Sequence, residues 1–117
     1  MDWVLLSDPA YKILELLKMR RMTKDEIIKI LNEVKDEVKR KYRAEIKGIF
    51  GSYARGDEKK TSDIDIIVDF EKGADLFDLV ETSIFLEEKL SCKVDIIPRD
   101  SIRSEIKEFV LQETIYI

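Results

Sequence analysis

Gly51-Ser52-Tyr53-Ala54-Arg55-Gly56-Asp57-Glu58-Lys59-Lys60-Thr61-Ser62-Asp63-Ile64-Asp65 is the stretch on which the reading of this chain turns. The apolar run Ile46–Phe50 before it predicts a short strand that turns sharply at Gly51-Ser52. Tyr53 to Arg55 then reads as the opening turn of a short helix ended by Gly56, and Asp57 to Ser62 as a polar loop. Ile64–Phe70 is a second strand with a nearly continuous apolar centre. Asp63 and Asp65 stand at i and i+2 at its start, so both project from one sheet face. Two carboxylates held that close repel each other, and a cation is the natural way to keep both ionised. The competing structural reading has Asp63 capping a turn and Asp65 paired with Lys59 or Lys60.

Asp95 shifts the balance. It lies among Val94, Ile96 and Ile97 in a third predicted strand, Lys93–Ile97, ended by Pro98. An unpaired charge in such a run is costly, so Asp95 needs either a salt bridge to Lys93, Arg99 or Arg103, or a cation. If its strand lies beside that of Asp65, three carboxylates share one face and can hold two divalent metals. Asp69, farther along the second strand, reads as surface or edge. Gly51 lets a backbone approach phosphate closely, and Ser52 adds a hydroxyl and an N–H. The spaced glycines and Gly-Lys-Ser/Thr ending of a Walker loop are absent. Arg55 suits either a phosphate or a bidentate bridge to Asp63 or Asp65. Tyr42 and Tyr53 offer rings to a base or to core packing.

The chain has 117 residues, enough for one core-bearing domain. With 21 Lys and Arg against 25 Asp and Glu the net charge is −4, which argues against a field that steers toward nucleic acid. There is no histidine, which removes His-ligated metals and His-containing triads and favours magnesium, with manganese as the alternative, over zinc. The single cysteine, Cys92, reads as a half-buried structural thiol and fits a reducing cytoplasm. No run approaches the roughly 20 apolar residues of a membrane span, and the acidic N-terminus lacks a secretory signal.

Helical periodicity is expected over Ala10–Met19 and over about Lys24 to Tyr42, where Ile27, Leu31, Val34, Val38 and Tyr42 form one stripe behind a Thr23–Glu26 capping pattern. A further helix from about Asp75 to Leu90 carries Leu76, Leu79 or Val80, Ser83, Leu86 or Glu87, and Leu90 on its period. A last helix, capped by Asp100 or Ser101, places Ile102, Ile106, Phe109 and Val110 on one face, and Ile115–Ile117 forms a terminal strand or docked tail. The expected fold is α/β (α+β): a small mixed β-sheet covered by helices, with residues 1–22 as an N-terminal extension, Trp3 within it, and 23–117 as the domain.

Three ordered segments, Phe50 to Gly56, Ser62 to Val68 and Val94 to Ile97, closely resemble those of the minimal nucleotidyltransferases of the DNA polymerase beta-like superfamily. The resemblance implies that Gly51 and Ser52 hold the β- and γ-phosphates of ATP. It further implies that Asp63, Asp65 and Asp95 ligate two Mg2+ ions and that Arg55 is the motif arginine. Such proteins resemble the antitoxin half of two-protein systems whose partner is an all-helical HEPN toxin, several of which receive AMP on a tyrosine. The implied activity is transfer of AMP from ATP to a protein hydroxyl. The rival expectations are a non-catalytic antitoxin acting by contact and a nucleotidyltransferase acting, as a homo-oligomer, on a small molecule or nucleic acid. The notion of stable nucleic-acid binding is not supported by the charge.

Overall fold

The computed structural model describes Ala10 and residues 22–59 and 62–117. Its elements are α1 (Lys24–Tyr42), β1 (Ala44–Phe50), α2 (Ser52–Arg55), β2 (Ile64–Phe70), α3 (Leu76–Leu90), β3 (Val94–Pro98), α4 (Ser104–Glu113) and β4 (Ile115–Tyr116), with a 3-10 turn at Arg99–Ser101. The expected helix Ala10–Met19 (apart from Ala10) and Trp3 lie outside the described residues.

The strands form one mixed sheet in the order β3-β2-β1-β4. β1 runs antiparallel to β2 and β4, whereas β2 and β3 are parallel and joined through α3. This is the expected mixed sheet with helices. On one face Ile64, Ile66 and Val68 of β2 meet Ile27, Leu31, Val34 and Val38 of α1 and Leu86 and Leu90 of α3, all buried. Each such side chain contributes about 1.5–3 kcal/mol by leaving water. The alternate residues Asp65, Ile67 and Asp69 point to the opposite face.

α1 begins where the capping pattern predicts: Thr23 Oγ1 accepts from the Glu26 N–H at 3.2 Å and donates to the Glu26 carboxylate. It ends at Arg43 in the left-handed conformation, whose guanidinium donates to the Gly73 carbonyl at 3.1 Å and ties α1 to the turn before α3. Asp75 and Asp78 cap α3 reciprocally.

Two helices differ from expectation. α3 buries Thr82, Leu86 and Leu90, while Leu76 and Val80 face solvent. Thr82 is tolerated inside because its hydroxyl donates to the Asp78 carbonyl at 2.6 Å. In α4 only Val110 is buried; Ile106 and Phe109 are exposed, and Ile102 precedes the helix.

A bulge between Ile46 and Gly48 leaves Lys47 unmatched in the β1–β2 ladder. The extra residue reverses the phase of β1, so Ile49 faces the helices opposite Ile66 and Phe50 falls opposite Asp65. Just past the bulge, a Cβ on Gly48 would collide with the Ile115 carbonyl of β4. Gly48→Ala is therefore expected to push β4 off the sheet at a cost of about 1–3 kcal/mol in urea unfolding. Faster hydrogen exchange should follow at the Ile117 amide, which donates to the Lys47 carbonyl. Unchanged stability and exchange would contradict this role.

Candidate active site

β1 delivers the chain to the acidic face at Phe50, and Gly51 turns it away at φ 80°. That left-handed value favours glycine, but a second constraint is stronger: a Cβ on Gly51 would strike the Asp65 carboxylate. The backbone at Gly51 and the Asp65 side chain are thus packed together with no room for a methyl group. Ser52 then opens α2, held by Arg55 N–H to Gly51 O at 3.0 Å and anchored by buried Tyr53 and Ala54. Gly56, at φ 77°, closes it, and the Asp57 N–H returns to the Ser52 carbonyl at 3.0 Å.

Parallel pairing of β2 with β3 sets Asp65 directly opposite Asp95, with Ile64 opposite Val94 and Ile66 opposite Ile96. Asp65 is half-buried and its carboxyl is pushed up to about 6: burial is the largest cause, followed by the charges of Asp95 and Asp63 and a hydrogen bond with Asp95, while Arg55 opposes them. Asp63 is exposed and immediately precedes β2, rather than lying within it. Asp95 is exposed on the edge strand and has no ion-pair partner among the described residues. The salt bridge considered for it is absent there; Arg99 lies 4.0 Å from Asp69 instead.

Arg55 pairs with Asp57, Nε to Oδ2 at 3.2 Å, because the Gly56 turn brings that acid back alongside it. The bridges to Asp63 or Asp65 considered from the sequence are not formed, although its charge reaches Asp65. Tyr53 is buried and Tyr42 packs its ring 5.6 Å from that of Phe85, so both serve the core. Cys92 is half-buried against the core, as expected, with its Sγ 4.0 Å from the Ser62 carbonyl. Lys60 lies outside the described residues. Ser62, at the end of the polar loop and the start of the second resembling segment, accepts from the Lys59 N–H at 2.8 Å and shapes the approach to Asp63.

The donor set is oxygen-only and anionic, which fits a hard divalent cation such as magnesium. Among the described residues no three acidic side chains converge into a ready-made metal cage. The acids instead neighbour one another around Asp65, so a cation would have to draw Asp63 and Asp95 inward. Among the same residues no helix is long and apolar enough to cross a membrane.

The raised Asp65 value has a consequence for stability. Its ordinary value is 3.8, so the folded protein holds this proton more tightly than the unfolded chain. The cost of ionising it is absent below about pH 4, grows as the pH rises toward 6 and is complete above that. Asp65→Asn should therefore stabilise the metal-free protein at pH 7.5 by about 1 kcal/mol, after allowance for solvent screening. The gain should vanish near pH 3.5. Urea titrations in chelator at both pH values check this, and an equal effect at both would contradict it.

Residues 11–117 match the nucleotidyltransferase domain family. The chain is 38% identical over 99 residues, 85% of its length and 100% of the relative's, to the protein adenylyltransferase MntA of Thermococcus cleftensis. A candidate protein adenylyltransferase of Methanocaldococcus jannaschii is 41% identical over 96 residues, 81% of this chain and 98% of that one. Among solved structures, a candidate minimal nucleotidyltransferase superposes with a TM-score of 0.70 at 30% identity, covering 82% of this chain and 97% of that one. A toxin–antitoxin structure with AMP-PNP has a TM-score of 0.58 at 24% identity, over 81% and 72% of the two chains, and speaks to the fold alone. The chain belongs to the nucleotidyltransferase domain family and is a nucleotidyltransferase.

Proposed function

We propose that this protein transfers AMP from ATP to a hydroxyl of a protein partner, with a tyrosine of a helical HEPN-type toxin as the acceptor and neutralisation of that toxin as the outcome. The observation that carries the reading is the register of Asp65 opposite Asp95, beside a turn at Gly51 that leaves space only for backbone. The relatives' description as protein adenylyltransferases supports the choice of AMP and of a protein acceptor.

In this mechanism the Gly51 backbone and the Ser52 N–H and hydroxyl receive the β- and γ-phosphates at the entry to α2, where no side chain caps the helix. Asp63, Asp65 and Asp95 would hold two Mg2+ ions, which when bound neutralise the triphosphate and lower the pKa of the acceptor hydroxyl. Ile64 and Ile66, fully buried, fix the β2 backbone that carries Asp65. Asp95, exposed at the sheet edge, would accept the acceptor's proton as the acceptor's oxygen bonds to the α-phosphorus. The bond from the α-phosphorus to the bridging oxygen breaks, and pyrophosphate leaves. Arg55, free to exchange Asp57 for a phosphate, is a binding residue on this reading. Residues 23–117 would form the catalytic domain and 1–22 an extension of it.

The rival to this reading is neutralisation of the toxin by contact, with no transfer to it. Label transfer separates the two. With α-labelled ATP, Mg2+ and a co-expressed helical toxin, label should pass to the partner and fall at least about a thousandfold in the Asp63→Asn/Asp65→Asn variant. Gly51→Ala, which crowds Asp65, should lose about ten- to a hundredfold. A complex that forms and neutralises the toxin without any label would favour contact alone.

A further inference from the structure

α3 carries more apolar surface than its side of the core uses. Its buried stripe runs through Thr82, Leu86 and Leu90. The outer side presents Leu76, Phe77, Val80 and Ile84, which are 72%, 75%, 44% and 54% exposed. Leu76, Val80 and Ile84 are four residues apart and Phe77 stands beside them, so they form one ridge along the helix. The ridge exposes on the order of 400 Å2, as much as the largest patch of an ordinary monomer.

Charge narrows what can cover it. By their positions on the helix, Glu81 flanks the ridge on one side and Glu87 on the other, and Glu88, four residues past Ile84, stands at its C-terminal end. The only basic residue of α3, Lys89, faces away, with its ammonium 5.3 Å over the Phe85 ring on the α1 side. A second copy meeting the same ridge would bring two glutamate rims together in a chain of net charge −4. A partner with lysines or arginines beside an apolar face meets no such repulsion.

Position adds a reason. α3 connects the two acidic strands and packs over β3, the sheet edge on which Asp95 is exposed. A protein seated on α3 borders that edge and can reach round it to the acidic face. We propose that the outer face of α3 is the docking surface for a helical protein partner whose apolar stripe is flanked by basic residues. This inference rests on the reading of the chain as a transferase acting on a protein, and it names the surface by which the acceptor is held.

The test uses a fluorescein-labelled helical peptide with leucines at every third and fourth position and lysines on either side, beside a peptide with glutamates in place of the lysines. Anisotropy titration of the full chain should show binding of the lysine peptide at least about tenfold tighter than of the glutamate peptide. Phe77→Ala/Ile84→Ala should weaken the former at least about tenfold. Glu81→Lys/Glu88→Lys should reverse the preference between peptides. The altered residues are exposed, so melting curves should stay those of the parent protein. Equal binding of both peptides, or binding that the variants leave unchanged, would overturn the proposal. So would a dimer of the parent chain that Phe77→Ala/Ile84→Ala dissociates, since the ridge would then belong to a second copy. Asp63→Asn/Asp65→Asn should bind the lysine peptide like the parent. Label transfer to a toxin that ignores the α3 variants would sink the docking surface alone, and peptide binding without any label transfer would sink the transferase reading alone.

Discussion

Parallel pairing of β2 with β3 places one carboxylate across from another, and much of the fold serves to hold that arrangement in position. Asp65 retains its proton up to about pH 6, first because it is half-buried and then because Asp95 and Asp63 stand beside it. The cost of ionising it is offset by fully buried Ile64 and Ile66 on the other side of the same strand, which α1 and α3 cover. Parallel strands require a crossover, and α3 supplies it. The bulge at Lys47 sets the phase of β1 so that Phe50 meets Asp65 and Gly51 turns against its carboxylate. The neighbouring acids are thus held in position by three strands and two helices.

Elements with strong local signals were legible in the sequence. Thr23 and Glu26 marked the start of α1, and the Ile27–Leu31–Val34–Val38 stripe fixed its buried face. The apolar run Ile64–Phe70 coincided with β2, and Gly56 ended the short helix after Gly51. Features that depend on neighbours were not legible. The Lys47 bulge leaves no mark in composition, since it arises from matching β1 to β2 and β4 together. Arg55 went to Asp57 because of a turn at Gly56, which a count of opposite charges does not register. In α3 nearly every turn carries an apolar residue on each side, so periodicity could not choose the buried face. The Asp-x-Asp and the later Asp were readable as a pattern, whereas their register across the sheet required the strands to be paired.

The ambiguity of α3 is itself informative. A helix apolar on two sides is ordinarily buried on two sides, and here one of them is open to solvent. The acidic face has a comparable openness at β3, an edge strand with Asp95 exposed. On the proposed function, a protein acceptor would close what the chain leaves open at that edge. Covering a ridge on one side of the sheet while presenting a hydroxyl at its edge would join affinity for the partner to orientation of the attacking oxygen.

On the proposed function, Gly51, Ser52, Asp63, Asp65 and Asp95 would form one metal-dependent nucleotide site. Amide NMR titration with α,β-methylene ATP, which cannot transfer AMP, in the presence and absence of Mg2+ checks this. The largest shifts should cluster at Gly51, Ser52, Asp65 and Asp95 and depend on the metal. Shifts of equal size without Mg2+, or shifts centred away from the Gly51 turn and the β2–β3 pair, would contradict it.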